Sequence, residues 1–200
     1  MPDSYRTVGE RAEARFTVQG SEFIGHVAPA TTTDAAEAFV REIEAAYDDA
    51  THNVPAYRVR SDPFREYSSD DGEPSGSAGK PALNVLQQRE IENVVSVVTR
   101  YYGGTNLGVG GLARAYSRAV KDGVDAAGVV EEVPHETFSV TVAYDDSGSV
   151  RGLLESAGVE FEAAYEADVR FDVRVPVAEG AGLRDEIRSA TSGRADIDGY

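Results

Sequence analysis

Val94-Val95-Ser96-Val97-Val98-Thr99-Arg100-Tyr101-Tyr102, then Gly103-Gly104-Thr105-Asn106-Leu107-Gly108-Val109-Gly110-Gly111, then Leu112-Ala113-Arg114-Ala115-Tyr116, is the stretch of the 200-residue chain that decides its fold. The β-branched run at 94–98 reads as a central strand, because branched side chains pack well on a pleated, buried surface. The glycines that follow allow the chain to turn sharply. Leu112, Tyr116, Ala119 and Val120 then share one face of a helix predicted over 112–127.

Working toward the N-terminus, Pro81 suits the first turn of a short helix over 81–88, and the small, polar run 68–79 reads as a loop. Residues 54–60 alternate enough for a strand. Phe39, Ile43, Ala46 and Tyr47 form one apolar stripe, so a helix is predicted there, opened by Asp34-Ala35-Ala36-Glu37 as a capping box. Residues 15–18 and 22–28 read as two strands joined by Gln19-Gly20.

Toward the C-terminus the pattern restarts near Glu131-Glu132-Val133-Pro134-His135. Strands are predicted over 137–144, 159–165, 168–175 and 194–197, with helices over 145–157 and 178–190. The order β-α-β-β-α-β is the ferredoxin-like pattern, so residues 133–200 are assigned to a second domain and 1–132 to the first. The two halves differ in element order, so the chain is not an internal repeat.

Composition narrows the function. Length and a hydrophobic fraction of 41% fit one large or two small folded domains. With no Cys, disulfides, thiolate nucleophiles and Cys-ligated metal sites are excluded. No apolar run is long enough to span a bilayer, and residues 1–15 lack the apolar stretch of a signal peptide, so a cytoplasmic location is expected. Net charge is −16, and only Lys80 and Lys121 are lysines among the 19 basic residues. Many acids with so little lysine point to adaptation to high salt, where dense carboxylates keep a protein soluble. Residues 54–121 escape this trend, with 9 Lys+Arg against 7 Asp+Glu, while the remainder holds 10 against 28. An exempt segment is expected where an anion is bound, although a buried scaffold would also produce one.

Two glycine-rich loops in that segment lead into predicted helices, Ser69-Asp70-Asp71-Gly72-Glu73-Pro74-Ser75-Gly76-Ser77-Ala78-Gly79-Lys80 and the loop 103–111. Helix starts carry unpaired N–H groups, so either loop could hold a phosphate or an RNA backbone. Arg58, Lys80, Arg100 and Arg114, with Gly103, Gly104, Gly108, Gly110 and Gly111, are the candidate anion contacts. Tight turns that only permit close packing are the alternative for each loop. No G-x-x-x-x-G-K-[ST] is present. Gly108-Val109-Gly110-Gly111-Leu112-Ala113 matches a dinucleotide fingerprint, yet begins six residues after Tyr102 and lacks the units of a doubly wound sheet, so it is discounted. His52, Asp70, Asp71 and Glu73 form a cluster suited to metal or acid–base chemistry, but Asp-Asp-Gly-Glu-Pro is equally strong turn chemistry. No catalytic residue, metal or cofactor is assigned.

Residues 69–79 and 100–116, with Ser21-Glu22-Phe23-Ile24-Gly25 and Ala50-Thr51-His52-Asn53, resemble the signatures of the IMPACT/YigZ family over about residues 16–127. Departures are Ser77 where Thr is usual, Tyr102 where Phe is common, and Asn106-Leu107 where an Ile-Lys-like pair is frequent. The resemblance implies an α+β protein of two domains. The first is similar to the ribosomal-protein-like fold of elongation factor G domain IV, the second to its ferredoxin-like domain V. It further implies a cytoplasmic, translation-associated factor with RNA, the ribosome or a translation-regulatory protein as partner, and no membrane. An enzyme acting on a phosphorylated small molecule or nucleotide through the glycine loops is the alternative. Tyr101 and Tyr102 could stack on bases, or form a strand half in the core and half on the surface.

Overall fold

Val94–Tyr101 is the middle strand of a five-stranded antiparallel sheet and is buried at every position but its last. A strand covered on both faces needs apolar or satisfied side chains on both, which is what its β-branched run supplies. In the computed structural model, which describes residues 4–61 and 63–199, the chain divides into two units, Tyr5–Glu132 and a second from Val133 onward.

The first unit runs β1 (Tyr5–Val8), β2 (Ala12–Val18), β3 (Ser21–Pro29), α1 (Thr33–Ala46), β4 (His52–Val59) and β5 (Arg65–Ser68). It continues through α2 (Gly79–Gln88), β6 (Val94–Tyr101), α3 (Gly108–Ala127) and β7 (Val129–Glu132). The sheet order is β2-β3-β6-β4-β5, and β1 pairs with β7 in a separate ribbon. Alternation assigns the faces. Val94 and Val98 of β6 and Phe23 and Val27 of β3 pack with Leu86, Leu112, Tyr116 and Val120 of α2 and α3. Val95 and Val97 point the other way, onto Phe39 and Ile43 of α1. Burial of each such side chain contributes about 1.5–3 kcal/mol, so the sheet is stabilised from both sides.

Among the differences from expectation, three have a plain physical reason. Thr32, not Asp34, caps α1: its hydroxyl accepts the Ala35 N–H at 3.1 Å. Asp34 lies in the first turn, where its charge favours the positive end of the helix dipole. Helix α3 starts at Gly108 rather than Leu112, because backbone hydrogen bonding begins before the first side chain that reaches the core. Strand β5 carries exposed or half-exposed side chains at every position, so it has no apolar alternation to read.

His26 lies on the α1 side of the sheet, 3% exposed. Thr99 donates its hydroxyl to Asn53 Oδ1 at 2.7 Å, so its oxygen accepts from His26 Nε2 at 3.2 Å, and the ring is the neutral Nε2–H tautomer. Burial lowers its pKa to about 4, against a smaller upward pull from Glu13. A depressed folded-state pKa means stability is full above the unfolded value of about 6.5 and is lost as pH falls through about 4. Wild type should therefore lose on the order of 2–3 kcal/mol more than His26→Gln between pH 7 and pH 4, read from urea midpoints. Parallel pH profiles for the two proteins would refute a neutral buried His26.

The second unit comprises β8 (His135–Val142), α4 (Tyr144–Ala157), β9 (Glu160–Tyr165), β10 (Val169–Pro176), α5 (Val177–Ala190) and β11 (Asp196–Asp198). Its antiparallel sheet has the order β11-β8-β10-β9, the arrangement that the ferredoxin-like pattern requires. Phe138, Val140, Phe171 and Val173 on one face of that sheet pack with Val150 and Leu154 of α4 and Leu183 and Ile187 of α5. Each of its six arginines lies 2.7–3.8 Å from a carboxylate, so this unit presents no unpaired arginine.

Candidate functional site

Antiparallel pairing brings the sequence motifs to one end of the first sheet. Glu22 of β3 lies opposite Tyr101, and His52 of β4 opposite Arg100, so both strands begin where β6 ends. Strand β5 runs back toward that end, and Ser69 N–H donates to the Pro55 carbonyl as the 69–79 loop leaves it. The segments around Ser21, His52, Asp70 and Tyr102 therefore converge. Thr51 and β6 are tied twice, by Thr51 N–H to the Arg100 carbonyl and Tyr102 N–H to Thr51 Oγ1, each 2.9 Å.

The 69–79 loop is organised by its acids. Asp70 accepts N–H bonds from Gly76 at 2.8 Å, Ala78 at 3.1 Å and Gly79 at 2.8 Å. Its carboxylate thus occupies the start of α2, where the sequence suggested an external phosphate. Burial raises the Asp70 pKa, and the three N–H donors together outweigh this and hold it below the ordinary carboxylate value. Asp71 accepts the Asn53 N–H at 2.6 Å, and its carbonyl accepts His52 Nδ1–H at 2.6 Å. That bond sets the His52 tautomer and turns Nε2 toward Glu73 Oε2, 3.8 Å away.

Glu73 and Arg100 form a buried ion pair at 2.6 Å, their side chains 4% and 6% exposed. Tyr116 donates to the same Glu73 oxygen at 2.7 Å, and Arg100 reaches Ser21 Oγ at 3.3 Å. Burial, then the bond to Glu73, raise the Tyr116 pKa, so it remains a neutral donor. The Arg100 guanidinium also lies over the rings of Phe23 and Tyr102, 5.5 Å from each centroid. Its charge is spent inside the domain. Arg58 is likewise engaged, by Glu66 at 2.7 Å and by the Leu86 and Ile91 carbonyls at the end of α2. Neither Tyr116 nor Ser21 stood out as polar in the sequence. The signal for Tyr116 was its place on the inward face of α3, since a buried tyrosine hydroxyl needs a partner.

The remaining candidates are on the surface. Lys80 and Arg114 are exposed, with neither an ion pair nor a side-chain hydrogen bond among the described residues, and Lys121 is the same. Ser117, one turn after Arg114, donates to the Pro81 carbonyl, so Arg114 and Lys80 flank the seam between α2 and α3. Lys121 lies two turns further along α3. Helix α2 contains no acid, and the two acids of α3, Asp122 and Asp125, are paired with Arg118 and Arg89. Gly104 and Gly108 adopt positive φ with open space beside them, whereas Gly103 packs directly on the Gly20 backbone.

The molecule is thus an α+β protein of two units, whose first unit joins a buried Glu73–Arg100–Tyr116 cluster, edged by the half-buried His52, to an exposed basic seam. The Impact N-terminal domain matches residues 19–124, and a domain of unknown function, DUF1949, matches residues 140–194. The IMPACT family member YvyE of Bacillus subtilis is 36% identical over 198 residues, covering 98% of this chain and 91% of that protein. The IMPACT family member YigZ of Escherichia coli is 31% identical over 183 residues, 90% of each chain. The rat protein IMPACT is 34% identical over 100 residues, 48% of this chain and 31% of that one. A crystal structure of a hypothetical protein superposes with a TM-score of 0.75 at 28% identity, covering 100% of this chain and 98% of the other. The chain belongs to the IMPACT family. No helix among the described residues is long and apolar enough to cross a membrane.

Proposed function

We propose that this protein is a cytoplasmic, translation-associated factor that contacts RNA or the ribosome through the α2–α3 face of its first domain. The observation that carries the reading is charge placement. In a chain of net charge −16, both lysines and Arg114 lie along one helix seam with no ion-pair partner among the described residues, and the acids of the two helices, Asp122 and Asp125, are already paired. Screening is strong in molar salt, so contacts that survive there need direct hydrogen bonds, which Lys and Arg donate to phosphate oxygens. The family resemblance implies domains similar to elongation factor G domains IV and V, and this supports the same reading by fold analogy alone. The buried cluster, on this view, holds the loops that frame the seam.

The test is co-sedimentation with ribosomes at native salt, with RNA affinity measured across a salt series. The variant Lys80→Gln/Arg114→Gln/Lys121→Gln should remain folded and lose association, and its log–log salt slope should flatten by about 2. Arg65→Gln, an exposed arginine of β5 away from the seam, serves as the control. Equal association by wild type and the triple variant would exclude the α2–α3 face.

A further inference from the structure

We infer that Tyr102 is a stacking platform for an unpaired base, so that the RNA taken by this face is single-stranded. The inference rests on the RNA reading above and specifies its substrate. The structure separates the two tyrosines that end β6. Tyr101 donates its hydroxyl to Asp49 at 2.7 Å and lies at the α1 side of the sheet end. Tyr102 lies one residue past β6, on the same side as Arg100, and is 47% exposed.

Three contacts hold the residue in place, one at its backbone and two at its ring. Its N–H is fixed by Thr51, its hydroxyl donates to Asn106 Oδ1 at 3.2 Å, and the buried Arg100 guanidinium lies over the ring. Arg100 is itself anchored by Glu73, so the tyrosine is ordered before any ligand arrives. A large aromatic ring that is half exposed yet held at both ends presents a π surface with little rotamer freedom left to lose. The neighbouring chemistry suits a nucleotide. Asn106 is two residues from Gly108, where α3 begins, and the Arg114 guanidinium folds back over Gly110 in its first turn. Base and phosphate contacts thus lie within one short loop and the helix turn that follows it. In a duplex the bases are stacked on each other and their faces are unavailable, so a stacking platform selects single strands.

The experiment compares binding of a short uridine oligomer and of a blunt RNA duplex to the full chain. Tyr102→Ala should weaken the oligomer by about tenfold and leave duplex binding unchanged. Tyr102→Phe should bind as wild type. Tyr102→Leu keeps apolar cover over Arg100 but has no π face, and should behave like Tyr102→Ala. If Tyr102→Leu binds as wild type, or if oligomer and duplex weaken equally, the ring is a cover and the inference is overturned. If both Tyr102→Ala and Tyr102→Leu bind normally while Lys80→Gln/Arg114→Gln loses binding, stacking is wrong and the RNA reading stands. If wild type binds neither probe, both fall together.

Discussion

Arg100→Ala should destabilise the first domain by about 3–5 kcal/mol, the cost of removing one partner of a buried ion pair. The reason is the charge left behind. Glu73 is 4% exposed at its side chain and accepts from Arg100 and Tyr116 through one oxygen. Removing the guanidinium leaves a buried carboxylate with a neutral phenol and a histidine 3.8 Å from its other oxygen. Urea denaturation at neutral pH reads the loss directly. Glu73→Leu on the Arg100→Ala background should recover part of it, since removing both charges also removes the unpaired one. A loss below about 1 kcal/mol for Arg100→Ala would mean that the pair is solvated in solution. Arg100 is therefore a poor probe of RNA contact: any loss of binding would be read through a loss of folding, whereas Arg114 is free of this confusion.

Gly25→Ala should cost about 3 kcal/mol or more, because a methyl group there has no room. An added Cβ would lie 2.1 Å from the Ala119 carbonyl oxygen and 2.7 Å from its carbon, both backbone atoms of α3. Nothing flexible can yield, so strand β3 and helix α3 must separate. Gly123, on the facing side of α3, is constrained in the same way by Val27 Cγ2 and the Gly25 carbonyl. Gly152→Ala is the matched control. That glycine sits on the exposed face of helix α4 with nothing within 4 Å, so alanine should stabilise by about 0.5–1 kcal/mol through helix propensity. Melting temperatures that move in the same direction for the two variants would contradict the close approach of α3 to β3.

Much of the fold was legible because its signals are local. The run at 94–98 marks a buried strand by side-chain shape alone, and the stripe through Leu112, Tyr116 and Val120 marks α3 by period. In the second unit every element follows from alternation and period, and the β-α-β-β-α-β order then leaves few ways to arrange the sheet. Strand β5 escaped because an exposed edge strand needs no apolar face. The ribbon of β1 and β7 escaped because its two strands are short and lie more than a hundred residues apart in sequence.

The candidate site was legible as a set of residues but not as roles. Asp70, Asp71 and Glu73 stand within four positions of one another, and nothing in that spacing distinguishes a helix cap from a histidine anchor or a buried counter-charge. Sequence alone determined the elements other than β1, β5 and β7, the basic exemption of residues 54–121 and the family motifs, since these depend on composition and on neighbours along the chain. Tertiary structure decided which cations are spent and which are free. Arg100 and Arg114 lie fourteen residues apart in sequence around one glycine loop, yet pairing across the sheet puts Arg100 opposite His52, beside the 69–79 loop whose Glu73 it meets, while Arg114, beyond the glycine loop on α3, meets no acid among the described residues. A charge is cancelled by what lies opposite it in space, and in an antiparallel sheet that is set by register with strands far away in sequence.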